Sequence, residues 1–192
     1  MPSPVASSGA LEISLKKYAE DFALENHAAQ VVLRGLSLVG VGFRPLLDHL
    51  IFRTVHLKQR AQEFLDLGYE RDLDAKVFTK KGHGVEVLRK DCAGAILLEH
   101  PHDKAGLDWV AKFGDKAPCA LAIRVEEIEE AVFRLEKQAV GFLRPAAGSH
   151  EDTLREIAAV PGMKDGKECG HLILVERHAG DQRFYAPDFW IN

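Results

Sequence analysis

Leu47-Asp48-His49-Leu50-Ile51-Phe52-Arg53-Thr54 decides how the rest of the chain is read. It is an apolar ladder carrying one polar pair, the pattern of a buried β-strand. Side chains alternate along a strand, so His49, Ile51 and Arg53 share one face and Leu50, Phe52 and Thr54 the other. A buried histidine and arginine on one face are costly unless something pairs with them. A metal with an acidic substrate would do so, and so would a neighbouring carboxylate.

Downstream of this strand the spacing predicts a helix over 57–67, with Leu57, Ala61, Phe64 and Leu65 as its apolar stripe and Gly68 at its C-terminal cap. Short strands are predicted over 75–79, 85–89 and 95–100, separated by the turn-rich stretches 80–84 and 90–94. The order βαβββ then recurs. Ala120-Leu121-Ala122-Ile123-Arg124-Val125 matches Leu50-Ile51-Phe52-Arg53, and a helix over 126–138 follows, closed by Gly141. His171-Leu172-Ile173-Leu174-Val175-Glu176-Arg177 matches Ala95-Ile96-Leu97-Leu98-Glu99-His100, so both copies end an aliphatic strand in glutamate. One such unit cannot cover its own sheet face. The expected fold is therefore α+β: two βαβββ modules, 47–104 and 117–180, forming one curved mixed sheet that makes a cup.

Upstream, residues 1–9 read as a flexible leader and 10–46 as an N-terminal helical segment. Leu11, Leu15, Tyr18 and Phe22 recur at helical spacing over 10–26. A second short helix is expected among 31–41, interrupted by glycines, and Pro45 ends any helix before the strand. The tail 181–192 is aromatic. It reads as a closure of the cup, as a lid with Arg183 or Tyr185 reaching in toward substrate, or as a contact in a homodimer.

Composition bounds the partners. A formal net charge of −4 supplies no basic field for nucleic acid. No apolar run reaches the roughly 18–20 residues of a membrane span. Cys92, Cys119 and Cys169 are three and unclustered, which suits a reducing, cytoplasmic setting rather than a disulfide framework.

The paired βαβββ pattern over about 47–180 resembles the vicinal-oxygen-chelate superfamily, the fold of glyoxalases and extradiol dioxygenases. The resemblance implies metal ligands on the first and last strands of each module, at His49, Glu99, Ala120 and Glu176; Ala120 is no ligand. Asp48-His49-Leu50-Ile51-Phe52-Arg53-Thr54 is further similar to the opening of the 2-oxoadipate dioxygenase/decarboxylase family. That likeness implies iron on the histidine, a substrate carboxylate on the arginine four residues on, a second histidine on the second module and a late glutamate. Glu176 fits the last role, and the second histidine falls at Ala120. His171, His178, His100 and His150 are other histidines to hand; by parity His178 shares a face with Glu176 and His171 does not.

The expected site is therefore a divalent metal (Fe, Mn, Ni or Zn) on His49, Glu99 and Glu176, with Glu99 as ligand or proton carrier. Arg53 holds a substrate carboxylate through its planar fork, with Arg124 as a second candidate. The expected function is a metal-dependent enzyme acting on a small 2-oxo or 2-hydroxy acid. The alternative is a metal-free small-molecule binding module of the same fold.

Overall fold

The structure is a computed structural model, and it describes residues 4–38, 46–75, 77–78 and 84–186. The quoted stretch is its central strand. β1 (Leu47–Arg53) pairs in parallel with β5 (Ala95–Glu99), placing Ile51 beside Leu97 and Arg53 beside Glu99. On its other edge it pairs antiparallel with β6 (Ala120–Val125), Ile51 beside Ala120. β6 repeats the arrangement: it pairs in parallel with β9 (Lys167–Arg177), Ala122 beside Ile173. A parallel pair needs a crossover, and a helix supplies it in each module. These are α3 (Leu57–Leu65) after β1 and α5 (Ile128–Glu136) after β6.

Antiparallel strands extend the sheet outward. β4 (Gly84–Arg89) lies on β5 and β7 (Leu154–Ala158) on β9. The short β2 (Glu70–Arg71) and β3 (Val77–Phe78) add to β4, and β8 (Gly162–Lys164) adds to β9. The order β2-β4-β5-β1-β6-β9-β7 is the two-module sheet that the repeat predicts.

The two faces of the sheet differ in what they bury. Leu50, Phe52, Leu98, Leu121 and Leu174 join the helices in one apolar core, with Phe64 from α3 and Ile128 and Val132 from α5. α1 (Pro4–Leu24) and α2 (His27–Leu38) cover the same face, α1 through Leu11, Leu15 and Phe22. Phe52 is wholly buried there, worth roughly 1.5–3 kcal/mol in transfer free energy. Arg60 pins this layer from within: its guanidinium lies 4.5 Å from the Phe52 ring centre and donates to the Lys116 carbonyl at 2.8 Å. The opposite face is floored by small side chains, with Ala95, Ala120, Ala122 and Ala158 among Ile51, Leu97 and Ile173. Phe184 and Ala186 lie in the same cluster, and this face is the inside of the cup.

Several boundaries depart from the sequence reading. α1 begins at Pro4, inside the expected leader, because proline costs nothing in the first turn of a helix. α2 runs straight through Gly35 from His27. Pro45 and the turn residues 80–83 lie outside the described residues. The left-handed residue after α5 is Ala139 (φ 62°), not Gly141. A helix that the sequence reading leaves unassigned, α4 (Lys104–Phe113), joins the modules, capped where the Asp103 carboxylate accepts from the Gly106 amide at 2.8 Å. Among the described residues no helix is long and apolar enough to cross a membrane.

Candidate functional site

The cup begins with a break in alternation. β1 and β6 shift register between Leu47 and His49, a bulge at Asp48. A bulge leaves one residue unpaired and re-aims its side chain. Leu47 and Leu50 pack on the helix core, so Asp48 and His49 both turn to the cup. Asp48 thereby becomes a hub. One carboxylate oxygen lies 2.8 Å from His49 Nδ1 and accepts from Arg177 Nη2 at 3.1 Å. The other accepts from Arg124 Nε at 2.8 Å and Arg177 Nε at 3.1 Å. Burial alone would raise its pKa, but His49 and Arg177 outweigh burial and hold the carboxyl well below the usual carboxylate range. An ionised Asp48 beside Nδ1 fixes the orientation of the His49 ring. Nε2, on the far side of the ring, is fully buried with no hydrogen-bond partner.

At the other end of the same strand face, Arg53 Nε donates to Glu99 Oε2 at 2.9 Å, the pair set by direct register between β1 and β5. The guanidinium lies 5.6 Å from the ring centre of Trp109 on α4. Its Nε is committed to Glu99, and the two Nη groups form the outer prongs of the fork.

The second module contributes Glu156, which the sequence reading passes over, together with His171 and Cys119. Glu156, mid-strand on β7, is fully buried; its Oε2 accepts from the Ala186 amide at 2.7 Å and its Oε1 has no partner. Burial raises its pKa, opposed by the nearby charge of His49. His171 shares the cup face with Ile173 and sits beside Ala120 in register. Its Nδ1 lies 3.1 Å from the Ala159 carbonyl, and burial lowers its pKa. Cys119 also lies on this side, donating to the Ile51 carbonyl at 3.3 Å, although alternation from Ala120 assigns it to the other. It precedes the first residue of β6, where strand alternation no longer applies. Burial pushes its thiol up to about 12.

The C-terminal stretch closes over these groups. The Phe184 ring packs edge-on to His49 with centres 5.3 Å apart, while Ala186 meets Glu156. His49 on β1 and Glu156 on β7 lie three strands apart, yet residues 184–186 touch both, so the sheet curls around them. Between them Tyr185, partly buried, has its hydroxyl pushed well above its usual range by burial and then by Glu99.

The expected site residues therefore divide. His49, Arg53, Glu99 and Tyr185 lie on the cup side. Arg124 sits at the rim, more than half exposed, and its partner is Asp48. Arg183 points away to Asp181 and Thr153. Glu176 is on the helix face, where it accepts from the Ile128 amide at 2.9 Å and from Arg155 Nη1 at 3.1 Å, fastening the start of α5. The cause is a slip of one residue. Arg53 pairs with Glu99, but Arg124 pairs with Val175, so the counterpart of Glu99 is Val175 and Glu176 falls on the reverse face.

The trio His49, Glu99 and Glu176 is thus not brought together. Among the described residues no three His, Cys, Asp or Glu side chains form a ligand set. Two atoms of ligand type, Nε2 of His49 and Oε1 of Glu156, are each buried and unpartnered. The carboxylate behind His49 is what ligating histidines generally have on their other nitrogen.

No family model matches the sequence, and no curated protein does. Solved structures resemble the fold. A protein assigned to the glyoxalase superfamily from Ralstonia eutropha JMP134 aligns with a TM-score of 0.70 at 8% identity, over 90% of this chain and 85% of its own. Methylmalonyl-CoA epimerase from Mycobacterium tuberculosis gives 0.53 at 21% identity, over 71% and 91%. A mutant of 4-hydroxymandelate synthase from Streptomyces coelicolor gives 0.57 at 17%, over 76% of this chain and 51% of its own. At these identities the likeness is one of fold. The chain has the fold of the vicinal-oxygen-chelate superfamily, as the paired modules predict.

Proposed function

We propose that the cup takes a small 2-oxo or 2-hydroxy acid and works with a divalent cation held by His49 and Glu156. The observation carrying this is the pair of orphaned, fully buried atoms from the two modules, His49 Nε2 and Glu156 Oε1, each one donor of a ligand set. Leaving two such atoms unmade in a folded interior costs roughly 1–3 kcal/mol each, so a ligand that meets both is favoured. A cation there would act as a Lewis acid on a carbonyl or hydroxyl oxygen of the acid, whichever of Fe, Mn, Ni or Zn it is. Asp48 holds the His49 ring through Nδ1, which leaves Nε2 for the ligand. Arg53 presents its Nη groups to the substrate carboxylate, and Trp109 holds the guanidinium plane. Glu99, fastened to Arg53 Nε, is the carboxylate placed to move a proton at the substrate beside that anchor.

A second reading, a metal-free binding module, is favoured by a specific observation: among the described residues no three His, Cys, Asp or Glu side chains form a ligand set. One experiment separates the readings. Chelator-stripped protein is titrated calorimetrically with Mn²⁺, Fe²⁺, Ni²⁺ and Zn²⁺, wild type beside His49→Ala and Glu156→Gln. One equivalent bound by the wild type and lost in both variants supports the metalloenzyme. No cation bound, with Arg53-dependent binding of a 2-oxo acid, supports the module. Neither form of binding removes the cup as a small-acid site.

A further inference from the structure

The room above the alanine floor is taken by the chain itself. Phe184 and Ala186 are buried in the same cluster as Cys119, Ala120 and Ala122. Ala186 occupies one oxygen of Glu156 with its amide, and the Phe184 ring leans on His49. Those are the two residues on which the proposed site depends, so the tip lies against both. Resting on that reading, we propose that residues 184–186 are an internal plug, which must swing out of the cup before a ligand enters and which returns when the cup is empty.

The geometry separates a fixed stem from a strained tip. The stem is tied down: Arg177 Nη1 donates to the Asp181 carbonyl at 3.0 Å, and Arg89 Nη2 to the Gln182 carbonyl at 2.7 Å. At the tip, the Phe184 ring sits against the Arg89 guanidinium at 4.8 Å, and the Ala186 amide donates to Glu156. Tyr185 between them has φ 60°, a left-handed conformation that a residue with a Cβ adopts only where its surroundings impose it. Releasing the tip relieves that strain and frees the Glu156 oxygen, while the stem keeps the tip near for reclosure. A plug of this kind makes the apparent affinity of any ligand the intrinsic affinity reduced by the open fraction.

Cys119 reports on the plug without any ligand. It is buried under the tip, in the cluster that Phe184 and Ala186 complete. In the full chain carrying Cys92→Ser and Cys169→Ser, Cys119 is labelled with iodoacetamide well below the unfolding transition. Two variants open the plug: Phe184→Ala removes the ring, and Ala186→Pro removes the amide donated to Glu156. A control, Phe64→Leu, loosens the helix-side core away from the cup. The expected result is a rate at least 10-fold faster in both plug variants than in the parent and than in the control at matched melting temperature. Equal rates in all, or acceleration shared by the control, would overturn the plug. A Mn²⁺ titration of the same proteins reads the proposed site separately. Fast labelling with no Mn²⁺ bound by any variant keeps the plug and removes the metal reading; fast labelling with tighter Mn²⁺ binding in the opened variants supports both.

Discussion

His49 Nδ1 lies 2.8 Å from Oδ1 of Asp48, its own neighbour in the chain, and both side chains are almost wholly buried. Neighbours on a regular strand point to opposite faces; these two meet because β1 bulges. The contact makes Asp48 the electrostatic hinge of the cup, with Arg177 on one side and Arg124 on the other.

Replacing Asp48 tests that hinge. Asp48→Asn keeps the shape but takes the closer of two counter-charges from Arg177, almost fully buried, leaving the Asp181 carboxylate at 3.7 Å. Removing one partner of a buried ion pair costs about 3–5 kcal/mol. Urea denaturation is expected to show a loss in that range. The same change loosens the hold on the His49 ring, so cation affinity in the titration falls about 10- to 100-fold, as for other carboxylates behind a ligating histidine. Loss of affinity without loss of stability would mean that Asp181 suffices as the counter-charge of Arg177.

The Glu129–Arg155 pair on the helix face gives a pH signature. The bond from Arg155 holds the Glu129 carboxyl down to about 2. A carboxylate whose pKa is depressed on folding adds stability that is complete above its unfolded value, about 4.3. That stability is lost as pH falls through the folded value. Wild type and Glu129→Gln are expected to differ in urea midpoint at pH 7, and the difference shrinks as the pH is lowered from about 4.3 toward about 2. Glu129 is half exposed, so added salt reduces the difference at pH 7. A difference that grows in acid would contradict the assignment.

Gly170 fixes how closely α1 approaches the sheet. A Cβ there would lie 2.6 Å from the Phe22 ring and 2.9 Å from the Cys119 carbonyl. The ring can turn but the carbonyl belongs to the pairing between β6 and β9. Gly170→Ala is expected to cost about 1–3 kcal/mol as overpacking, read as a lowered urea midpoint. Asn26 makes the same contact from the helix side, its amide donating to the Gly170 carbonyl at 3.0 Å, so Asn26→Ala destabilises in the same direction.

What the sequence disclosed follows from periodicity. Two apolar strands with an arginine, each followed by a helix and an aliphatic strand, are enough to give the paired modules and the face shared by His49, Ile51 and Arg53. Direct register then makes Arg53 and Glu99 partners. The rest of the site depends on departures from period two. The bulge at Asp48 turns an outward position inward, and Cys119 lies before β6 begins. Glu156 had a readable signal: a glutamate between Leu154 and Ala158 in an otherwise buried strand must be satisfied from inside. The seven residues His171–Arg177 match their six-residue counterpart through the shared glutamate, whereas the pairing of Arg124 with Val175 sets the strand one residue away from that match.

Glu176 against Glu156 is the sharpest consequence of that displacement. The sequence reading makes Glu176 a metal ligand; its oxygen instead accepts from Ile128 at the start of α5 and from Arg155. Glu176→Ala removes a cap-like acceptor, which costs about 0.5–2 kcal/mol, and adds the loss of an Arg155 partner. Its expected phenotype is a lower urea midpoint with cation binding unchanged. Glu156→Gln is expected to behave the other way. It removes a buried carboxylate that burial disfavours, so stability holds or rises at pH 7, while cation binding is lost. Measuring urea midpoint and Mn²⁺ affinity on both variants crosses two readouts with two residues. If Glu176→Ala strips the cation and Glu156→Gln does not, β9 is offset by one residue in solution and its inward face carries Glu176 rather than Val175.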